Sequence, residues 1–404
     1  MYRYLIAFIL LPPLYSQWFT QNSGTVYAVK SVHFINHLTG YGCATNTVLK
    51  TTNGGDTWGN HYLQGLHNSI TFVNNMSGYI CGDGGRIYKT TDSGQNWILL
   101  NSGTTNNLNS VEFFDNLTGV VCGNNRTLLK TTNGGNSWIN IANFVWQIDL
   151  FDIKIQDVNN FFISGSETFI LKTSNGGINW YIYTHSEPNP LFALDFITPS
   201  TGFATGCCGM FMMTTNHGLN WTAGYYLSPG FTFYSMQFLN QLSGFICGDN
   251  GMIYRTTNGG SRWDSTATSV NTTLYSLFMI NENTGWASGS GGTILKTTNG
   301  GGQGFPIRIS AISENIPSGF ELYQNYPNPF NPVTTISFDI PIESTVRLSI
   351  SDAAGREIDV PVNQILKPGK YRINWYPYTF PSGVYFYTLK SSEFSRTNKM
   401  IIIR

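Results

Sequence analysis

The chain has 404 residues, enough for one large domain and a smaller one, and its 22 Lys and Arg balance 22 Asp and Glu. Zero net charge without a basic stripe excludes nucleic acid as a partner class. With 43 Gly, 15% aromatic and only 11% charged residues, the composition excludes a disordered chain and fits an all-β protein rich in tight turns.

The N-terminal stretch "MYRYLIAFILLPPLYSQW" carries Arg3, then an apolar run from Leu5 to Leu11 that ends at Pro12 and Pro13. That run is too short to span a bilayer and reads as a secretory signal peptide over residues 1–16. No other segment approaches spanning length, so the expectation is an exported monomer with no transmembrane segment.

From residue 17 to 302 one string recurs. "LLKTTNGGNSW" at 128–138 has counterparts aligned on Lys50, Lys89, Lys130, Lys172, Met213, Arg255 and Lys296, at steps of 39, 41, 42, 41, 42 and 41 residues. A period near 40 with strand-like content predicts a propeller, one four-stranded sheet per unit. In each unit an alternating apolar run ("SVEFF", "SITFV", "ALDFI") precedes a turn, which in six of the seven ends in Thr-Gly or Ser-Gly. A short strand ("VVCG", "YICG"), a Gly/Asn loop, a strand through "LLKTT" and an outer strand opening at Trp complete it. Seven units predict a seven-bladed β-propeller. The Trp series is Trp58, Trp97, Trp138, Trp180, Trp221 and Trp263, while the seventh unit has Gly304 in that place. "WFTQNSGTVYAVKSVHF" at 18–34 aligns without gaps on "WILLNSGTTNNLNSVEF" at 97–113. Trp18 is therefore read as the start of an outer strand that completes the seventh blade and closes the ring, leaving no open edge.

The turn before each Trp carries a short Asx side chain: Asn53, Asp92, Asn133, Asn175, Asn216 and Asn258. Asx accepts hydrogen bonds from nearby amides, Gly tolerates positive φ, and Trp plates the hairpin, so all three roles are structural. The pattern Ser/Thr-x-Asp-x-Gly-x-x-Trp, complete at Thr90, Asp92, Gly94 and Trp97, resembles the Asp-box, or bacterial neuraminidase repeat. That repeat occurs in sialidases, sortilin-type propellers and photosystem II assembly-factor propellers, and the "KTTNGGxxW" wording is nearest the last. The resemblance covers about residues 18–302 and implies boxes on the rim, away from a ligand face. Cys43, Cys81, Cys122 and Cys247 recur at one repeat position, a blade apart, which points to free buried thiols. Cys207 and Cys208 are adjacent, with no second Cys pair or His cluster near them, so neither a metal nor a cofactor is expected.

Residues 303–319 read as a linker, and 320–404 as a small immunoglobulin-like β-sandwich of alternating runs between Pro and Gly turns. Its motifs are Tyr326-Pro327-Asn328-Pro329-Phe330, Asp352-x-x-Gly355-Arg356, Gly383-Val384-Tyr385 and Lys399-Met400. In this order they resemble the type A C-terminal sorting domain of the type IX secretion system of Bacteroidetes. Ser351 and Tyr376-Pro377 depart from that family's usual residues. The resemblance implies engagement of the type IX machinery, passage across the outer membrane, removal of this domain, and release or attachment to lipopolysaccharide.

By propeller convention, loops joining strands two and three share a face with loops joining an outer strand to the next inner strand, opposite the boxes. The first set offers Asp83, Arg86, Arg126, Glu167 and Asp249, and the second Trp146, His185, Glu187 and Tyr226. A sialidase needs several convergent Arg. Between 17 and 302 only Arg86, Arg126, Arg255 and Arg262 occur, and the repeat itself uses the last two. Xyloglucanase-type enzymes cleave between two propellers. Glycoside hydrolysis needs carboxyl groups about 5–9.5 Å apart, and Asp83 and Asp249 are expected nearly opposite across the ring. The expectation is a non-catalytic binding or scaffold module for an unidentified protein or glycan. Its rival is a glycan-cleaving enzyme that uses a pair among Asp83, Glu167, Glu187 and Asp249.

Overall fold

Runs such as "LNSVEF" and "GVVCG" are short, bounded by Gly and Asn, and too regular in alternation for a helix. In the computed structural model of the protein they form strands Leu108–Phe113 and Gly119–Gly123, paired antiparallel. The structure describes residues 18–228, 230–266, 268–301, 310–313, 316–330, 334–375, 382–392 and 394–403. The expected signal peptide lies outside them. Apart from single 3₁₀ turns, the described elements are all strands, and no helix among them is long and apolar enough to cross a membrane. The chain divides into two compact units, residues 1–255 with 266–302 and residues 303–404 with 256–265.

Four-stranded antiparallel sheets follow one another along the repeats. The first joins Val29–Phe34, Gly40–Ala44, Thr47–Thr51 and Gly59–Tyr62. Five more repeat the plan, with first strands His67–Phe72, Leu108–Phe113, Leu150–Ile155, Leu191–Phe196 and Phe233–Phe238. A last sheet combines Leu274–Met279, Gly285–Gly289 and Ile294–Thr297 with Phe19–Gln21 from the other end of the chain, Phe19 opposite Lys296 and Gln21 opposite Ile294. Each first strand neighbours the next, and Leu274–Met279 neighbours Val29–Phe34, so the first strands surround a central channel. Trp18 is fully buried among Phe245, Ile253, Leu274 and Leu295, and its indole N–H donates to Thr266 Oγ1 at 3.0 Å.

Aromatic rings join sheet to sheet. Phe113 stacks on Tyr79 of the preceding sheet at 3.7 Å and meets Trp138 of its own sheet edge-on at 6.0 Å. Phe72 does the same with Tyr41 and Trp97. Phe34 does so with Trp286 and Trp58, joining the last sheet to the first. These rings explain the Gly that opens the second strand. A Cβ on Gly119 would lie 2.5 Å from Phe113, and one on Gly78 would lie 2.7 Å from Phe72. Gly119→Ala should therefore destabilise by about 1–3 kcal/mol through overpacking. Combining it with Phe113→Leu should cost less than the sum of the two changes. Melting curves of the three variants check this, and strict additivity would count against a ring-imposed Gly.

The box turns close on themselves. Thr90 Oγ1 donates to Asp92 Oδ1 (2.8 Å) and accepts from Gly94 N (2.9 Å), while Asn96 N donates to Asp92 Oδ1 (2.9 Å). The Asn96 amide and carboxamide, with the Thr90 hydroxyl, hold the Asp92 carboxyl down at about 2. The same bonds recur through Asn53 with Thr57, Asn133 with Ser137, Asn175 with Asn179, Asn216 with Asn220 and Asn258 with Arg262. Among the Trp of these turns, Trp180 donates its indole N–H to Ile141 O, and Trp58, Trp221 and Trp263 are buried. The Lys of the repeat straps one sheet to the next box: Lys50 Nζ donates to Ser93 O (2.6 Å), Lys89 to Gly134 O (2.7 Å) and Lys130 to Gly176 O (2.8 Å).

In the second unit two four-stranded antiparallel sheets share one core around Ile336, Phe338, Leu348, Ile350, Trp375 and Tyr387. Strand Ser310–Ser313 pairs with Gly369–Trp375. The stretch read from sequence as a 303–319 linker therefore contributes a strand. Its low-charge "SAIS" gave no turn-bounded alternation from which to see it. The Tyr326–Phe330 arm docks on the terminal strand Ser395–Ile402: Ile401 N donates to Asn328 Oδ1 (2.9 Å), and Asn328 Nδ2 to Lys399 O (3.2 Å). Asp352 closes its turn by accepting from Ala354 N, Arg356 N and Arg356 Nε.

Candidate functional site

The links between second and third strands form 3₁₀ turns such as Asp83–Gly85, Ser166–Thr168 and Asp249–Gly251. Their first amides donate to the neighbouring outer-to-inner connections, Asp83 N to Leu66 O, Ser166 N to Asp149 O and Asp249 N to Thr232 O. Both sets of links thus meet at one end of the ring.

The structure engages most of the residues singled out from sequence in local contacts. Asp83 accepts from Asn68 Nδ2 at 2.9 Å. Asp249 accepts from Thr232 N (2.9 Å) and Thr273 Oγ1 (3.2 Å). Arg86 folds back onto Asp83 O (2.9 Å) and Arg126 onto Phe144 O (2.5 Å). Glu167 occupies the turn apex at φ 55°. Trp146 meets Phe169 at 6.2 Å, and His185 Nδ1 accepts from Glu187 N at 3.2 Å. Tyr226 lies in the outer strand Thr222–Tyr226, paired with Met210. A cleft of about 240 Å³ opens beside Arg126, lined by Thr104, Asn106, Asn125 and Trp138.

Sequence reasoning missed the mouth of the channel. Every first strand carries a β-bulge after its first residue, as between Leu108 and Ser110, and a bulge re-aims the extra side chain. Four successive sheets place aromatics there: Phe151, Phe192, Tyr234 and Tyr275, with neighbouring ring centroids 4.9, 5.3 and 5.4 Å apart. The other three place Lys30, Asn68 and Asn109. Lys30 Nζ lies 3.5 Å over the Tyr275 ring, Asn68 Nδ2 donates to Leu108 O, and Asn109 Nδ2 donates to Leu150 O. All seven side chains are half-buried. Their spacing follows the repeat, but only the bulge sets them apart from ordinary alternation.

Farther along the strands, side chains cap the free inner-edge amides of the next sheet. Ile70 N donates to Ser31 Oγ, Leu277 N to Ser235 Oγ and Met279 N to Gln237 Oε1. Three adjacent sheets use charged groups for this task. Ile155 N donates to Glu112 Oε2 (2.8 Å), Leu194 N to Asp152 Oδ2 (3.1 Å) and Phe238 N to Asp195 Oδ2 (2.6 Å), while Lys154 Nζ pairs with Asp195 Oδ1 at 2.8 Å. Burial pushes the Glu112 carboxyl up to about 7 against the pull of Lys154, and Asp152 up to about 6. Burial also holds His33 down at about 4.

A carboxyl whose folded pKa is raised penalises the fold when ionised, and the penalty fades as pH falls through the folded value. Glu112→Gln keeps an acceptor for Ile155 N and removes that penalty. Its stability relative to wild type should be higher at pH 8 than at pH 5, by about 1–2 kcal/mol. His33 acts in the opposite direction below pH 6.5, but it is common to both proteins and cancels. Urea unfolding at the two pH values reads the difference, and equal differences would refute the burial account.

Residues 324–403 match the family model of the secretion system C-terminal sorting domain, and residues 226–317 match that of the photosynthesis system II assembly factor YCF48. No curated protein matches the chain. Among solved structures, "YCF48 bound to D1 peptide" is similar at TM-score 0.60 and 18% identity, covering 70% of this chain and 96% of that one. YCF48 from Cyanidioschyzon merolae gives 0.59 and 17%, covering 69% and 98%. The WD40 propeller domain of Doa1 gives 0.56 and 15%, covering 70% and 96%. These likenesses establish a propeller fold.

Proposed function

From a BNR-type propeller that carries a secretion system C-terminal sorting domain, we propose an exported, non-catalytic binding or scaffold module. Its propeller of seven blades, residues 17–302, presents the loop end to a partner. The immunoglobulin-like sandwich, with its strand Ser310–Ser313, engages the type IX secretion machinery. Residues 1–16 are the signal peptide, and the destination is the cell surface or the medium.

One observation carries the non-catalytic reading: four carboxylates of the loop end and channel wall accept hydrogen bonds from the protein. Asp83 holds Asn68, Asp249 holds Thr232 N and Thr273, and Glu112 and Asp152 hold amides of the next sheet. A general acid must carry a proton to its substrate's leaving atom, whereas these carboxyl oxygens accept hydrogen bonds from protein donors. A protein of related fold, YCF48, is recorded with a bound D1 peptide, which supports a binding role for this propeller.

The test starts from the purified protein, screened against envelope proteins and polysaccharides and then measured by calorimetry with the partner found. Substituting Asp83, Arg86, Arg126 and Asp249 together by Ala should weaken binding more than it lowers the melting temperature. Asp92→Ala should loosen a hairpin and leave affinity intact. Release of reducing sugar that Asp83→Ala or Asp249→Ala abolishes would overturn the non-catalytic reading.

A further inference from the structure

We propose that the channel mouth is a saccharide site: the bulged residues Phe151, Phe192 and Tyr234 supply stacking faces, Tyr275 extends the apolar arc, and Asn109 with the turn carboxylates supplies acceptors for sugar hydroxyls. This rests on the loop end being the binding face.

The arc is built, not scattered. Four consecutive sheets spend the same bulge position on a ring, although three others show that a polar residue fits it equally well. Adjacent rings touch in sequence at 4.9–5.4 Å, which makes one continuous curved apolar surface over half the mouth. On the opposite half Asn68 and Asn109 give both carboxamide hydrogens to protein acceptors: Asp83 and Leu108 O for the first, Asn124 and Leu150 O for the second. Their orientation is thereby locked, and what remains to a ligand is acceptor capacity. Asp83 and Asp249, at the first positions of their turns, add carboxylate acceptors.

A ligand matching this surface needs a flat C–H face beside several O–H donors, which describes a neutral sugar ring. An extended peptide fits less well. Strand addition requires unpaired backbone edges, and the inner-edge amides of Val32, Ile70, Val111, Leu194 and Leu277 are already capped by side chains of the preceding sheet. A polyanion meets a single mouth ammonium, Lys30, which already covers Tyr275, together with two carboxylates of the wrong sign.

The full-length protein is titrated with oligosaccharides derived from laminarin, cellulose, xylan, mannan and chitin, with oligogalacturonate as the anionic comparison, by calorimetry and saturation-transfer NMR. At least one neutral oligosaccharide should bind, and oligogalacturonate should not. Phe192→Leu and Tyr234→Leu keep apolar volume but remove a ring face, so each should weaken binding about tenfold. Asn109→Ala should weaken it as well, while Asp92→Ala on the distant box turn leaves it unchanged. Near-UV circular dichroism establishes that each variant is folded. Failure of every oligosaccharide to bind the wild type, or binding that survives both Leu variants, overturns the saccharide site and leaves the binding-module reading standing. Binding that depends on the rings together with cleavage of the bound sugar keeps the site and overturns the non-catalytic reading. A peptide that binds at the mouth where no sugar does overturns the choice of ligand.

Discussion

Deleting residues 18–24 is expected to yield protein that is insoluble or melts far below the full chain. The segment supplies Phe19–Gln21, the outer strand of the last sheet, whose partner Ile294–Thr297 would be left with an open edge. It also supplies Trp18, fully buried and bonded to Thr266. Trp18→Ala alone should cost about 3–5 kcal/mol, on the order of 10 °C in melting temperature for a domain this large. Trp18→Phe should recover part of it, because a phenyl ring restores part of the packing while the bond to Thr266 is lost. Differential scanning calorimetry of the three proteins decides the matter. If the deletion melts within a degree or two of wild type, the chain ends do not hold the ring together.

Removing residues 310–404 is expected to abolish export while leaving a folded propeller behind. The second unit has its own core, with Ile336, Phe338, Leu348 and Ile350 fully buried, so its loss takes no side chain from the cores of the first. Cutting at 310, ahead of Ser310–Ser313, avoids leaving an orphan strand that normally pairs with Gly369–Trp375. Within the unit the stretch leading into the Tyr326–Phe330 motif is anchored by hydrogen bonds. Tyr387 Oη donates to Tyr323 O (2.9 Å) and accepts from Asn325 N (2.7 Å), and Asn325 Nδ2 donates to Thr334 Oγ1 (2.8 Å). Fractionation should find the truncated protein in the periplasm, resistant to mild proteolysis. Equal amounts of truncated and full-length protein outside the cell would show that the export signal lies elsewhere.

The all-β class, the propeller-like sheets and the sorting domain were legible in the chain because each rests on short-range pattern. Turn chemistry repeats every 41 residues or so, Thr-x-Asx-Gly-Gly prescribes a closed hairpin, and the motifs after residue 320 occur in order. The alignment of 18–34 on 97–113 points to a pairing between the chain's ends, and Phe19–Gln21 lies beside Ile294–Thr297. Less of the candidate site was legible. The loop charges were chosen by exposure and face, yet Arg86 and Arg126 turn back onto carbonyls of their own surroundings. The mouth residues hide in runs such as "LFDIKI" and "LFALDF", where Phe151 and Phe192 read as ordinary strand positions.

What the sequence by itself determined is the unit: its four strands, its box turn, the Gly that opens the second strand in six of the seven sheets, and a tail of separate origin. All of these follow from backbone preferences and side chains within one repeat. Only the tertiary structure decided how one unit uses the next. The bulge that aims Phe151, Phe192, Tyr234 and Tyr275 at a shared mouth is one such decision. The Lys that straps a neighbouring box, and the carboxyls of Glu112 and Asp152 that titrate near neutrality beside Lys154, are others. Their partners lie about 41 residues away in the chain but a few ångströms away in space. The ring brings them together because each first strand leaves an edge that the preceding sheet must cap.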